Sequence, residues 1–374
     1  GCQLQHITYE GQLSLKTQKV KDVIERIAHQ NPDLVKPTLG PKNPWAYRNK
    51  MQMPVGGTKG DIQMGFYAMG SHDIVQGTNC PIQDEGNNII AQACYQIAKE
   101  FDIEPYDEHT GKGVLRHVIG RIGQSGWMII LVTATEHLPH QEKWVEKLTE
   151  RVPQVETIVH NVNGKRTNVI LGPKNSVLYG DGTITDHIKD LRFTLSPHSF
   201  FQVNPEQTTV LYDQALAYAD LKGTEIVIDA YCGTGTISLF LAHKAKHVIG
   251  IEIVEPAITN ARENAQRNGY DNTEFIVADA AVEMPKLYKA GVRPDVIVFD
   301  PIRAGCKEEV LTSAAGMEPK RIVYVSCNPA TMARDIEILT HYGYELQEVQ
   351  PVDMFPMTAH VEAVALMSKV NPKK

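Results

Sequence analysis

Glu225-Ile-Val-Ile-Asp229-Ala-Tyr231-Cys-Gly233-Thr-Gly235-Thr-Ile-Ser238 decides the fold of the second half of this chain. A short β-branched run ends on an acid, turns through two closely spaced glycines and leads into a helical pattern. It is the first of five apolar runs, at 225–230, 247–253, 273–278, 295–299 and 321–326, most of them separated by helical patterns. Strands alternating with helices predict a mostly parallel sheet covered on both faces. The end breaks the rhythm. Residues 345–352 and 360–367 are joined by a short Pro-containing loop without a helix, which predicts an antiparallel pair closing the sheet. This is an α/β domain over 196–374.

The upstream half reads as a separate α+β domain over 1–195. Leu13, Val20, Val23, Ile24 and Ile27 predict a helix over 11–29, and the Pro- and Gly-rich stretch 37–62 predicts loops and short strands. Residues 113–135 read as a hairpin turning at Gly123-Gln-Ser-Gly126, followed by a charged helix near 140–151 and short strands to about 180. A length of 374 residues, 42% hydrophobic and 22% charged, fits two globular domains. No apolar stretch is long enough to span a bilayer, and no secretory signal opens the chain. The six cysteines are scattered without a CxxC pair, which points to a reducing cytoplasm. The chain starts at Gly1 rather than Met, as a piece of a longer chain would. A net charge of −7 argues against an overall nucleic-acid coat. Residues 1–60 nevertheless hold nine Lys/Arg against four Asp/Glu, a local basic segment that includes Lys42, Arg48 and Lys50.

In the glycine turn, small residues let the backbone approach a ligand, and a helix N-terminus favours an anionic group. A nicotinamide dinucleotide is the obvious rival, but its fingerprint wants a third glycine where Ser238 stands. Glu252 ends the next strand, where a carboxylate would accept both ribose hydroxyls. Asp279 ends the third, near where an adenine edge would lie. Acids at successive strand ends around Gly233 and Gly235 fit S-adenosylmethionine better than NAD.

Val325-Ser-Cys327-Asn328-Pro329-Ala-Thr331 carries the reactive group. Asn328 is a good N-cap and Pro329 suits the first helical position, so Cys327 is expected at a strand end beside a helix N-terminus, where a thiolate is favoured.

With these residues in view, the chain resembles the S-adenosylmethionine-dependent RNA uracil-C5 methyltransferases that act on 23S rRNA and tRNA. The resemblance rests on Ser199-Phe-Phe-Gln202-Val-Asn204, Asp229–Gly235, Gly250-Ile-Glu252, Asp300-Pro-Ile-Arg303-Ala-Gly305, Ser326-Cys327-Asn328-Pro329 and His360-Val-Glu362. Gly1-Cys2-Gln3-Leu4-Gln5-His6 resembles the segment that opens the family's central domain. The resemblance implies a class I methyltransferase-type domain over 196–374 and a central RNA-binding domain over 1–195. It implies a mechanism in which Cys327 adds to C6 of uracil, C5 takes the methyl group, and Glu362 removes the C5 proton to give 5-methyluridine. Gln202, Tyr231, Glu252 and Asp300 match the family's cofactor positions, although Gln202 and Asp300 equally suit the uracil edge. The expected partner is RNA, with 23S rRNA favoured, its uridine flipped into a cleft. Phe200, Phe201 and Tyr231 are candidates to line that cleft, Arg303 is a phosphate contact or a salt-bridge partner, and Lys42, Arg48 and Lys50 would hold phosphates. A monomer is expected.

Two departures stand out: Ile302 where the family usually has a second proline, and Ala363 where it often has Thr or Cys. Many members carry a [4Fe-4S] cluster. Cys2 and Cys80 stand where two of its four ligands would fall, the other two lying upstream of Gly1. The rival readings are a tRNA uridine-C5 methyltransferase and a non-catalytic RNA-binding protein on the same fold. Retention of both Cys327 and Glu362 speaks against the second.

Overall fold

A computed structural model describes residues 2–370, so Gly1 of the opening hexapeptide lies outside the described residues. In chain order the elements are α1 (Tyr9–Arg26), β1 (Lys50–Thr58), β2 (Asp61–Tyr67), β3 (Ile74–Gln76), α2 (Glu85–Glu100), β4 (Leu115–Ile122), β5 (Trp127–Thr133), α3 (Gln141–Arg151), β6 (Val155–Val162) and β7 (Lys174–Tyr179). A hairpin of β8 (Ile184–Ile188) and β9 (Leu191–Leu195) follows. Then come α4 (Pro205–Ala219), β10 (Ile226–Asp229), α5 (Thr236–Ala242), β11 (His247–Glu252), α6 (Glu255–Arg267), β12 (Thr273–Val277), α7 (Ala280–Lys289), β13 (Val296–Phe299), α8 (Glu308–Gly316), β14 (Arg321–Ser326), α9 (Pro329–His341), β15 (Tyr344–Val352) and β16 (Glu362–Lys369).

The chain divides into two units. The first holds Asn43–His187 and Arg192–Pro205, and the second holds Cys2–Lys42, Ile188–Leu191 and the chain from Glu206 onward. This is not the single cut at 195 that the sequence implied, and the reason lies in α1. Its apolar face delivers Val20 and Ile24, with Ala28 and Val35 after it, into the same core as Ile336 and Leu339 of α9 and Val349 of β15. Beyond the helix, Lys36 N donates to Val349 O and Leu39 N to Pro351 O, so this segment covers the outer edge of β15. Thr8 caps α1 by accepting from Gly11 N, and the helix stops earlier than expected because His29 turns to positive φ.

The first unit is a seven-stranded sheet in the order β3-β2-β1-β4-β5-β6-β7, antiparallel except for β5–β6, which α3 connects. α2 and α3 cover an apolar core that includes Met51, Met53, Ile90, Ile97, Leu131 and Trp144. The expected hairpin is β4–β5, paired from Leu115/Thr133 to Ile122/Trp127. The stretch 37–62 differs from expectation, since β1 is nine residues long despite Pro54. The proline falls where β1 changes partner, from β4 over Lys50–Pro54 to β2 over Val55–Thr58.

The second unit is a seven-stranded sheet in the order β12-β11-β10-β13-β14-β16-β15. The first five strands are parallel, and β16 runs antiparallel to both β14 and β15, as the broken rhythm predicted. The strand order reverses at β10, between β11 and β13, and ligands bind such open sheets in the crevice outside the carboxyl ends at that reversal.

Candidate active site

At the carboxyl end of β10, Asp229 is fully buried. Its Oδ2 accepts from Ser238 Oγ at 2.6 Å. Burial pushes this carboxyl up to about 6. The turn that follows needs its glycines. Gly235, at φ 81°, starts α5, and a Cβ there would stand 3.0 Å from Ala261 Cβ and 3.2 Å from the Phe275 ring. Gly233, at φ 53°, faces open space on its Cβ side. Glu252, the last residue of β11, ties the turn to its own strand by accepting from Gly233 N at 3.3 Å and from Val254 N at 3.0 Å. Asp279 stands beyond β12 as the N-cap of α7. It accepts from Ala281 N at 2.9 Å and from Lys307 Nζ at 2.8 Å, so both of its oxygens are already engaged. Tyr231 is half-buried, its ring 6.5 Å from that of Phe299.

The next two strand ends carry the reacting candidates. Asp300 follows β13, and Cys327 follows β14. Because β16 is antiparallel to β14, with Ala363 opposite Ser326, its first residue Glu362 lies level with Cys327. Glu362 is 5% exposed, and burial pushes its carboxyl up to about 7. Asp300 is raised well above the usual carboxylate range by burial and then by the charges of Glu362 and Asp229. The expectation that a helix N-terminus makes Cys327 a ready thiolate is corrected. Burial, then Glu362 and Asp300, push the thiol up, and the guanidinium of Arg303 offsets this only in part. The local backbone is nevertheless as expected, with Asn328 Oδ1 capping α9 at Ala330 N and Pro329 in its first turn.

Arg303 is exposed and approaches His360 Nδ1 with Nη2 at 3.2 Å. A guanidinium only donates, so Nδ1 is the acceptor and the ring proton sits on Nε2. The carbonyl of Arg303 accepts from Asn328 Nδ2 and Thr331 Oγ1, which ties this loop to the start of α9. The loop is also held from below. Asp335 Oδ2 accepts from Cys306 N at 2.8 Å and from the Tyr324 hydroxyl at 2.5 Å, and Arg334 donates to Ala304 O and Cys306 O. Cys306 is thus a buried packing residue.

Sequence reasoning missed Tyr212. This fully buried residue of α4 feels the charges of Asp300, Glu362 and Asp229, and its hydroxyl pairs with Thr236 Oγ1 at 3.2 Å. Nothing in the periodicity of α4 distinguishes Tyr212 from a core residue, so no sequence signal was available.

Other candidates are divided between the two units. Phe201 is buried against Phe193, with ring centroids 5.5 Å apart, whereas Phe200 is the exposed aromatic. Gln202 is half-buried in the loop before α4. The three basic candidates are not equivalent. Lys42 is exposed in the second unit, while Arg48 Nε donates to Lys50 O in the first. Lys50 is pushed down to about 7 by burial and by the cations of Arg121 and Arg48. Cys2 and Cys80 are half-buried, one in each unit. Among the described residues no group of three or more His, Cys, Asp or Glu is placed to hold a metal ion. Two thiols do not make up a cluster site.

A sheet of this order, with acids at successive carboxyl ends around a glycine turn, is that of an S-adenosylmethionine-dependent methyltransferase. The tRNA (uracil-5-)-methyltransferase family matches residues 127–370. An RNA methyltransferase of Bacillus cereus is 53% identical over 373 residues, covering 99% of this chain and 81% of that protein. One of Clostridium acetobutylicum is 49% identical over 377 residues, covering 99% and 82%. The crystal structure of Pyrococcus abyssi tRNA (uracil-54, C5)-methyltransferase in complex with S-adenosyl-L-homocysteine is 28% identical. It superposes with a TM-score of 0.80 over 98% of this chain and 85% of that one. The chain belongs to the tRNA (uracil-5-)-methyltransferase family and is an RNA (uracil-C5)-methyltransferase that uses S-adenosylmethionine. Among the described residues no helix is long and apolar enough to cross a membrane.

Proposed function

We propose that the protein methylates C5 of a uridine in 23S rRNA, with Cys327 as nucleophile and Glu362 as base. The observation that carries this chemistry is the β14–β16 register, which sets a thiol and a buried carboxyl level at one sheet edge. The choice of 23S rRNA rests on the opening hexapeptide, residues 1–6, and on Cys2 and Cys80. Uracil C5 is too weak a carbon nucleophile to react unaided. The Cys327 thiol first loses its proton to solvent. Addition of the resulting thiolate to C6 moves an electron pair toward C5, and a C6–S bond forms. After C5 has gained its methyl group, Glu362 accepts the C5 proton, the C5–C6 double bond re-forms and the C6–S bond breaks, returning the thiolate. A carboxyl near 7 suits that work, since it is partly ionised at neutral pH and basic enough to take a carbon-bound proton.

The residues around the glycine turn fit S-adenosylmethionine. The Cβ side of Gly233 is open, so a ligand can lie directly against the backbone of the turn. Tyr231, Gly233, Gly235, Glu252 and Asp279 would hold it, with Gln202 and Asp300 toward the cofactor or the uracil edge. The cofactor supplies the activated methyl group. Arg303, Lys42, Arg48 and Lys50 would contact the RNA, and Phe201 would support the base site. A tRNA uridine is the second reading, because the Pyrococcus abyssi structure is of an enzyme acting on tRNA uracil-54.

The test mixes the protein and S-adenosylmethionine with 5-fluorouridine-substituted 23S rRNA or tRNA transcripts and resolves the products on a denaturing gel. Fluorine cannot leave as a proton, so wild type should stay covalently attached to its substrate while Cys327→Ala should not. An adduct on tRNA alone would replace the rRNA assignment. An adduct that survives Cys327→Ala would remove the proposed nucleophile.

A further inference from the structure

A second polar pocket lies wholly within the first unit, lined by Tyr106, Glu108, Arg116, Arg166, Thr167 and Asn168, with ≈ 420 Å³ of empty space that is partly open to solvent. Its floor is built by an irregularity in β4. The β4–β5 register jumps between Leu115 and His117, so Arg116 is an extra, bulged residue whose side chain is re-aimed. Its guanidinium lies 4.3 Å from the Tyr106 ring centroid, and both residues are buried. Nη1 donates to Asn163 O at 2.5 Å and to Lys165 O at 2.8 Å, which fixes the guanidinium in place.

The walls are pre-organised. Asp107 holds one loop by accepting from His109 N and Thr110 Oγ1. Buried Asn163 holds the other, donating to Val169 O and Ile170 O while accepting from Lys165 N. Arg166 closes the two loops together, donating to His109 O across Gly111, where a Cβ would stand 2.6 Å from its Nε. Glu108 is oriented by the Tyr67 hydroxyl at 3.2 Å and by His72 Nδ1 at 2.5 Å.

We propose that this pocket takes an unpaired base of the RNA substrate, separate from the uridine that is methylated, with the exposed guanidinium of Arg166 offering the flat surface and Glu108 accepting from the base's N–H groups. The inference rests on RNA being the substrate. Sequence-selective proteins commonly read single-stranded RNA by stacking a splayed base on aromatic rings or guanidinium planes and bonding its edge. The carboxylate of Glu108 would repel a phosphate at the pocket's centre but suits a donor edge, and the exposed Arg166 guanidinium that lines the same pocket suits the base's face.

The RNA used for the test is the stem-loop that forms the covalent 5-fluorouridine adduct. Absence of any adduct removes the reaction reading and this inference with it. That stem-loop, with ordinary uridine, is remade with single abasic nucleotides scanned through its unpaired positions. Affinity is measured for wild type, Glu108→Gln and Arg166→Ala, both changes being at exposed side chains. One abasic position other than the target should weaken wild-type binding by about tenfold, and that penalty should largely vanish in both variants. The inference is overturned if no such position exists, or if its penalty is unchanged in the variants. It is equally overturned if Arg166→Ala weakens every RNA alike, since that result marks a phosphate contact alone.

Discussion

Replacing Glu362 with Gln should stabilise the ligand-free protein at high pH while removing a step of its chemistry. The carboxyl titrates near 4.5 in the unfolded chain and at about 7 in the folded one, because burial disfavours its charge. Between those values the native state binds more protons than the unfolded state, so stability falls as pH rises and the cost is complete above about 7. A displacement of that size is worth about 3 kcal/mol, and Gln, of nearly the same shape, avoids it. The charge of Glu362 also raises Asp300, so removing it relieves a second buried carboxyl. Urea unfolding of wild type and Glu362→Gln at pH 5 and pH 8 measures this directly. The gain should be on the order of 3 kcal/mol larger at pH 8 than at pH 5, whatever the pH-independent effect of burying an amide. Meanwhile the variant should accumulate the covalent adduct on ordinary uridine, because elimination lacks its base. A difference between the two pH values close to zero would refute the claim that burial of an ionised Glu362 strains the fold, and adduct turnover at the wild-type rate would refute its role as base.

Further changes test other parts of the argument. Lys16 and Asp353 form a 2.6 Å ion pair, both buried. Lys16→Met should therefore cost about 3–5 kcal/mol in urea unfolding at pH 8, and less at pH 5, where Asp353 can take up a proton. Gly235→Ala places a Cβ at positive φ against Ala261 and Phe275, which should cost at least about 1–2 kcal/mol and weaken S-adenosylmethionine binding measured by calorimetry. Joint replacement of Lys42, Arg48 and Lys50 should weaken RNA binding and flatten its salt dependence. Single-turnover chemistry at saturating RNA should change little, and a loss of rate without a loss of affinity would assign these residues another role.

The sequence made the second sheet legible because each of its central strands is a short β-branched run closed by a turn or a cap, and such runs are buried on both faces. Cys327 and Glu362 were legible for a different reason, since they stand in motifs whose order along the chain resembles that of a known family. Packing and charge were not legible. Val20 and Ile24 mark α1 as a helix with one apolar face, but nothing in their spacing says which unit that face joins. Cys327 reads as an activated thiol from its helix cap alone, because two carboxyls that oppose ionisation arrive from β13 and β16, far along the chain. Arg116 sits in an ordinary-looking strand, and only the register slip beside it turns the side chain under Tyr106.

The antiparallel end of the second sheet is what makes the chemistry possible on this fold. In a parallel sheet every strand presents its last residues at the ligand-binding edge, so side chains there come from loops that leave the sheet and enter helices. Cys327, Asp300 and Glu252 are all of this kind. Reversing β16 brings a first residue to the same edge, and that residue is approached from a loop rather than followed by a helix. Glu362 is therefore fixed by pairing on both sides, with Ala363 opposite Ser326 and Glu362 itself opposite Val352. Rigid backbone on two flanks holds the acid in its buried position, and burial is what raises it toward neutrality. The same register that places a base beside the nucleophile thus also sets the acidity at which that base works.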